Sequence, residues 1–429
     1  MNRLVCTNLD PVDPASLPPA RREPGGPARV LFLHGLELGF GTTTRFLIDA
    51  AAERADIDAV HIKLKLTGVR RLLSARSPVP VGRWDLRAWR SFYAWRSVLR
   101  PLIGPGGRPS LPLERFDVVH IMAVQRALAI PALAGRTAAK LVVNVDATTV
   151  AYDRAFGLRS SAPPLEVGLE RRIFRAADAV ACASRWAMDS VERDYGAARE
   201  RLFLHMPCVP VGEMRERRVR GPGEPLRIVF VGNDWERKGG PRLLRWHQER
   251  WADRAELHVC SAGAPVDPGA RNVVWHGATP HEKLVEEVLP AADLMVMPTR
   301  EDTFLIAAQE AQAAGVPVVT SRLAAIPEVV ADGVSGLLCE RGDDAGFIAA
   351  VESLMNDDAK RERFSRAAAA RGRRELSGRI WHSHLMDQLV ALADGRAVRV
   401  MPAELEAGAS GVEGDVASAA ERRATQGAG

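Results

Sequence analysis

Two carboxylates at a fixed spacing, Asp302 and Glu310, carry the strongest chemical signal in the chain. They lie in Leu294–Glu340, LMVMPTREDTFLIAAQEAQAAGVPVVTSRLAAIPEVVADGVSGLLCE. A short apolar run, Leu294–Pro298, predicts a buried strand. The acidic loop Arg300-Glu301-Asp302 follows, then a helical segment from Phe304 to Ala314 closed by Gly315. The second run, Val316–Thr320, is another strand candidate. Asp302 then sits in the loop, with Glu310 about a turn and a half into the helix, so both can face one crevice. Open parallel sheets hold ligands at such strand ends.

A second candidate lies near the N-terminus. The strand Ala28–His34 feeds Gly35-Leu36-Glu37-Leu38-Gly39-Phe40-Gly41, and Thr42-Thr43-Thr44 opens a helix to about Arg54. Glycines such as Gly41 let an anion approach the backbone at a helix start. The loop matches neither G-x-G-x-x-G nor the P-loop pattern, so a βα turn that simply needs glycine is an equal reading.

These candidates must be held by a framework. At 429 residues the chain has room for two domains. Strand candidates alternate with helical patterns at Ala59–Leu66, Asp117–Val124, Lys140–Asp146, AVACAS and Arg201–Met206. The alternation restarts after the charged, Gly- and Pro-rich stretch Gly212–Pro225. Such alternation predicts parallel sheets covered on both faces. The expected division is a flexible leader 1–27, a first Rossmann-like domain 28–211, a linker 212–225 and a second Rossmann-like domain 226–378. A helix 379–393 and a disordered tail 394–429, poor in bulky apolar residues, complete it.

Composition excludes several classes. The formal charge of +5 is modest for this length and implies no nucleic-acid partner. Five scattered cysteines without a C-x-x-C pair argue against a disulfide framework or structural zinc, and a reducing compartment is expected. The N-terminus lacks a signal-peptide core, and no apolar run reaches membrane-spanning length. A cytoplasmic protein is the expectation. One segment qualifies it: DLRAWRSFYAWRSVLR, residues 85–100, places Trp89, Phe92 and Tyr93 opposite several arginines. That pattern suits peripheral contact with an anionic membrane face, or a core helix with a solvated Arg side.

Taken in order, four landmarks resemble the retaining GT-B glycosyltransferases of family 4, glycosyl transferases group 1. They are LERRIFRAADAVACAS, FVGNDWERKGG, NVVWHGATPHEKLVEEVLPAADLMVMPT, and EDTFLIAAQEAQAAGVPVVTS with its E-x7-E-like signature. The resemblance implies an α/β GT-B fold: two Rossmann-like domains facing across a cleft, with the C-terminal helix crossing back. It implies sugar transfer from a nucleotide-diphosphate donor, a UDP- or GDP-sugar, to a glycan or lipid-linked acceptor with retention. No metal or other cofactor is implied. Lys238 and Arg237 would hold the diphosphate, helped by the backbone N–H groups of Thr303, Phe304 and Leu305 at the helix start. Glu310 would bind the ribose hydroxyls and Asp302 the sugar.

The chain departs from the family pattern at four positions. Asp302 replaces the first glutamate and has Glu301 beside it. Asn233 stands where an arginine is common, and Leu305 replaces a loop glycine. Asp146 aligns with a catalytic-region histidine; it would either contact the reacting groups or only cap the next helix. Other readings are a GT-B binding or scaffold protein without turnover, a sugar phosphorylase, or a nucleotide-sugar epimerase.

Overall fold

Strands rich in Val, Leu and Ile have no polar face to show water, so they are buried between helices in parallel sheets. The computed structural model describes residues 2–7, 17–19, 22–35, 40–64, 111–122, 130–135, 137–157, 164–209, 220–221 and 223–406. Two parallel sheets result. The first has seven strands: β1 (Asn2–Thr7), β2 (Ala28–Gly35), β3 (Ile57–Leu64), β4 (Val118–Met122), β5 (Lys140–Val145), β6 (Ala179–Cys182) and β7 (Leu202–Leu204), in the order β1-β3-β2-β4-β5-β6-β7. The second has six: β8 (Leu226–Val231), β9 (Ala255–Cys260), β10 (Val273–Trp275), β11 (Leu294–Met297), β12 (Val318–Ser321) and β13 (Gly336–Cys339), in the order β10-β9-β8-β11-β12-β13.

Six helices position the groups discussed below: α1 (Phe40–Ala52), α2 (Thr149–Phe156), α3 (Arg185–Arg193), α4 (Gly240–Trp246), α5 (Ile306–Ala313) and α6 (Gly378–Ala393). The last of these leaves the second sheet and docks on the first. Leu385, Met386, Leu389 and Leu392 join Ala28, Val30, Phe32, Ala59, Val118 and Val142 in one buried cluster. Burying each of those large side chains contributes about 1.5–3 kcal/mol, so α6 ties the two halves together.

The first sheet also buries a row of imidazoles. Phe32 pairs in register with His61 on one side and His120 on the other. His34 Nε2 lies 2.8 Å from His61 Nδ1. His205 links Asn144, at 3.0 Å, to His382 of α6, at 3.1 Å. Burial holds these rings neutral, bringing His61 and His382 down to about 4 and His120 to about 3. Among the described residues, neither ring nitrogen of His120 has a hydrogen-bond partner.

Two expectations about the termini are corrected. Asn2–Thr7, read as part of a flexible leader, is an edge strand paired with β3. Its hydrogen bonds are backbone bonds, which composition does not reveal. Residues 394–406, read as disordered tail, are ordered. The Val400 carbonyl accepts from Leu204 N–H at 2.7 Å, and Val400, Met401 and Leu405 pack on the core. This segment needs no core of its own because it borrows an existing one. The membrane-contact segment 85–100 lies outside the described residues, as do linker residues 212–219 and 222 and residues 407–429. Among the described residues no helix is long and apolar enough to cross a membrane.

Candidate functional site

β11 runs buried between β8 and β12, so the chain that leaves its carboxyl end is anchored on both sides. Thr320 and Ser321 of β12 fix that exit, donating to the carbonyls of Met297 at 2.8 Å and Thr299 at 2.6 Å. The acidic loop follows. Helix α5 begins at Ile306, two residues later than the apolar pattern predicts. The cause is Leu305, which caps the helix in the left-handed region with φ 56° and ψ 67°. For a residue with a Cβ this costs about 1–2 kcal/mol, a cost that a glycine at this position would avoid.

Asp302 lies inside this turn. Its Oδ1 accepts from the N–H groups of Phe304 at 3.4 Å and Leu305 at 3.2 Å. Its Oδ2 forms an ion pair with Lys238, and both side chains are mostly buried. The Phe304 and Leu305 N–H groups and the ammonium expected to hold phosphate thus all converge on one carboxylate. Lys238 reaches it from the turn between β8 and α4. A Cβ on Gly239, with φ +83°, would lie 2.1 Å from the Pro298 carbonyl, so only glycine lets this turn close against β11.

Arg237 is differently engaged. Its guanidinium pairs with Asp234 at 2.9 Å and donates to the Glu301 carbonyl, while its own carbonyl accepts from Arg300 N–H at 2.9 Å. Arg237 thereby braces the acidic loop as well as standing near it. Asn233, where the resemblance led one to expect an arginine, accepts from Ala262 N–H at 3.1 Å and pins the loop after β9.

Glu310 is buried on α5, and one of its oxygens lies 3.0 Å from His281 Nε2. Glu301 and Asp302 separate cleanly. Glu301 accepts from the hydroxyl of Tyr152, on α2 of the first domain, while Asp302 turns inward to Lys238. Asp146 follows the end of β5 and is half-buried. The capping reading of Asp146 is corrected: Thr148 caps α2, accepting from Ala151 N–H at 3.1 Å. Gly41 lies in the first turn of α1, which starts at Phe40 rather than at the threonines. Loop residues 36–39 lie outside the described residues, so only the helical part of that candidate is placed.

Three residues in this region had no sequence signal. Tyr152 and His281 meet their carboxylates only through the fold, since each pair is far apart in sequence. Glu328 is the third. Its two oxygens accept from Arg185 N–H and Trp186 N–H, both at 2.8 Å, so it caps α3 from the opposite domain. Burial raises the Glu328 carboxyl above its ordinary range against those two bonds.

Two parallel-sheet domains meet at their strand ends, with a final helix returning from the second to the first. That is the GT-B architecture. Sucrose-phosphate synthase from Thermosynechococcus elongatus shares it at a TM-score of 0.65 and 16% identity, over 86% of this chain and 99% of that one. The Anabaena protein HepE, solved in complex with UDP-glucose, matches at 0.59 and 13% identity, over 85% and 99%. These likenesses establish the fold. Residues 225–357 match the family described as glycosyl transferases group 1. A D-inositol 3-phosphate glycosyltransferase 1 of Catenulispora acidiphila is 29% identical over 265 residues, 55% of this chain and 62% of that protein. The chain thus spans less than two thirds of that relative's length.

Proposed function

We propose that this protein transfers a sugar from a nucleoside-diphosphate sugar, with retention of configuration. The observation that carries the reading is the convergence of Lys238 Nζ and the Phe304 and Leu305 N–H groups on one anionic oxygen pair at the end of β11. A donor phosphate presents the same chemistry as the Asp302 carboxylate that occupies this cradle. Entry of the donor would release Asp302, which then turns to the sugar.

Negative charge grows on the departing diphosphate as the glycosidic bond breaks. Donors fixed in advance at that point stabilise the transition state more than the ground state. Lys238 supplies the cation, Arg237 supports it, and the backbone N–H groups of Thr303, Phe304 and Leu305 complete the cradle, so the scheme needs no metal. Glu310 binds the ribose. Asp146, on the facing domain, orients the acceptor or takes its proton. The donor is a UDP- or GDP-sugar. The relatives' name makes an inositol phosphate the first acceptor to screen, alongside glycan and lipid-linked acceptors. Action at the cytoplasmic face of a membrane belongs to the same proposal.

A panel of nucleotide sugars, read by nucleotide release with and without acceptors, tests it. Release that is lost in Lys238→Ala is expected; no release with any donor and acceptor contradicts transfer. The occupied cradle also favours a second reading, a GT-B protein that binds without turnover. Saturable donor binding with no release across the panel would select it.

A further inference from the structure

His281 has no part in the scheme above, yet its surroundings are specific. It opens a short helical turn directly after Pro280. Its Nε2 lies 3.0 Å from Glu310 Oε1. A carboxylate only accepts, so Nε2 must carry the proton and donate it. The Glu310 side chain is 7% exposed while that of His281 is 27% exposed, so the imidazole sits on the solvent side of a nearly sealed acid. Phe46 of α1 also lies against the ring, edge to face at 6.1 Å between centroids. One imidazole therefore touches the acid of the second domain and an aromatic ring of the first.

We propose that His281 is a positioning residue for the donor nucleotide. By holding Oε1 it fixes the rotation of the Glu310 carboxylate and directs Oε2 towards the vicinal hydroxyls of a ribose. Phe46 keeps the imidazole in place from across the domain boundary. A carboxylate held this way accepts from both hydroxyls of a ribonucleotide and loses one bond to a 2′-deoxyribonucleotide. A carboxylate free to rotate discriminates less. His281 thus sets the preference for ribose over deoxyribose. The inference rests on the proposed reading that Glu310 binds the donor ribose.

The test is calorimetric titration of the full chain with UDP, GDP and their 2′-deoxy forms. For the wild type a preference for the ribose form of about tenfold is expected. Glu310→Ala should erase it, and His281→Ala should reduce it several-fold at unchanged Tm. His281→Gln, whose amide can donate to the same oxygen, should restore part of it. A wild-type preference lost in Glu310→Ala but intact in His281→Ala overturns the role of His281 and leaves the donor site standing. No binding of any of these nucleotides to the wild type removes the donor site itself and the inference with it.

Discussion

The two sheets are built alike and spend their polar groups differently. The second collects charged groups at the carboxyl edge, where Lys238, Asp302, Glu301 and Arg237 meet at the end of β11. The first buries neutral imidazoles across its width, under α6. Edge groups are held by one another in ion pairs and hydrogen bonds and can exchange an internal partner for a ligand. The histidines have given up their charge to remain inside. Among the described residues His120 has gained no hydrogen bond in return. A parallel sheet is thus equally able to carry a binding edge or a packed polar seam, and the placing of the charges decides which.

The largest expected effect separates the two regions by function. Lys238→Ala should lower kcat/KM by about 100-fold or more, as loss of a fixed transition-state donor does, with little change in Tm. His61→Leu, in the seam, should do the reverse: it strands His34 and lowers Tm while nucleotide affinity in the folded protein is kept. Equal loss of nucleotide affinity in both variants would break the distinction.

Asp302→Asn comes next, and its sign is opposite for binding and turnover. Removing the competing carboxylate should tighten binding of UDP or GDP several-fold while transfer slows. Glu301→Gln, one residue away and turned towards Tyr152, should not tighten it. Weaker binding in Asp302→Asn would show that the carboxylate does not compete for the cradle.

Acid should act on the seam. His61 and His382 are held down to about 4 and His120 to about 3, against an ordinary 6.5, with burial the main cause. Below 6.5 the unfolded chain takes up protons that the folded chain refuses, so stability is full above that pH and falls as the pH drops towards 4. Each histidine contributes up to about 1.4 kcal/mol per pH unit in that window. Thermal melts across it should show Tm falling with acidification; a flat profile would contradict a neutral seam.

The smallest expected effect is His120→Leu. It replaces a buried ring with no hydrogen bonds by an apolar side chain, so a gain of about 1 kcal/mol and a shallower acid profile are expected. A clear loss of stability would show that the edge-to-face contact with Phe32 matters more.

The sequence carried much of the fold, because apolar runs of strand length and helical patterns alternate from Ala28 to Ala393. The strand, acidic loop and helix read around Asp302 and Glu310 are present as β11, its following loop and α5. What it hid is long-range or conformational. Asn2–Thr7 becomes a strand only by meeting β3, and residues 394–406 are ordered only because β7 offers a partner. Leu305 reads as helix by propensity and adopts the left-handed region because the turn demands it. Tyr152 with Glu301, His281 with Glu310 and Glu328 with α3 are contacts between residues remote in sequence, which no local pattern encodes.

Amide hydrogen exchange with and without saturating UDP or GDP tests the central claim most directly. Slower exchange is expected in two segments, Asp234–Gly240 and Thr299–Gln312, with β2, β3 and β4 unchanged. A nucleoside diphosphate that leaves both segments unaffected, or protects only the first sheet, would contradict a donor site at the end of β11.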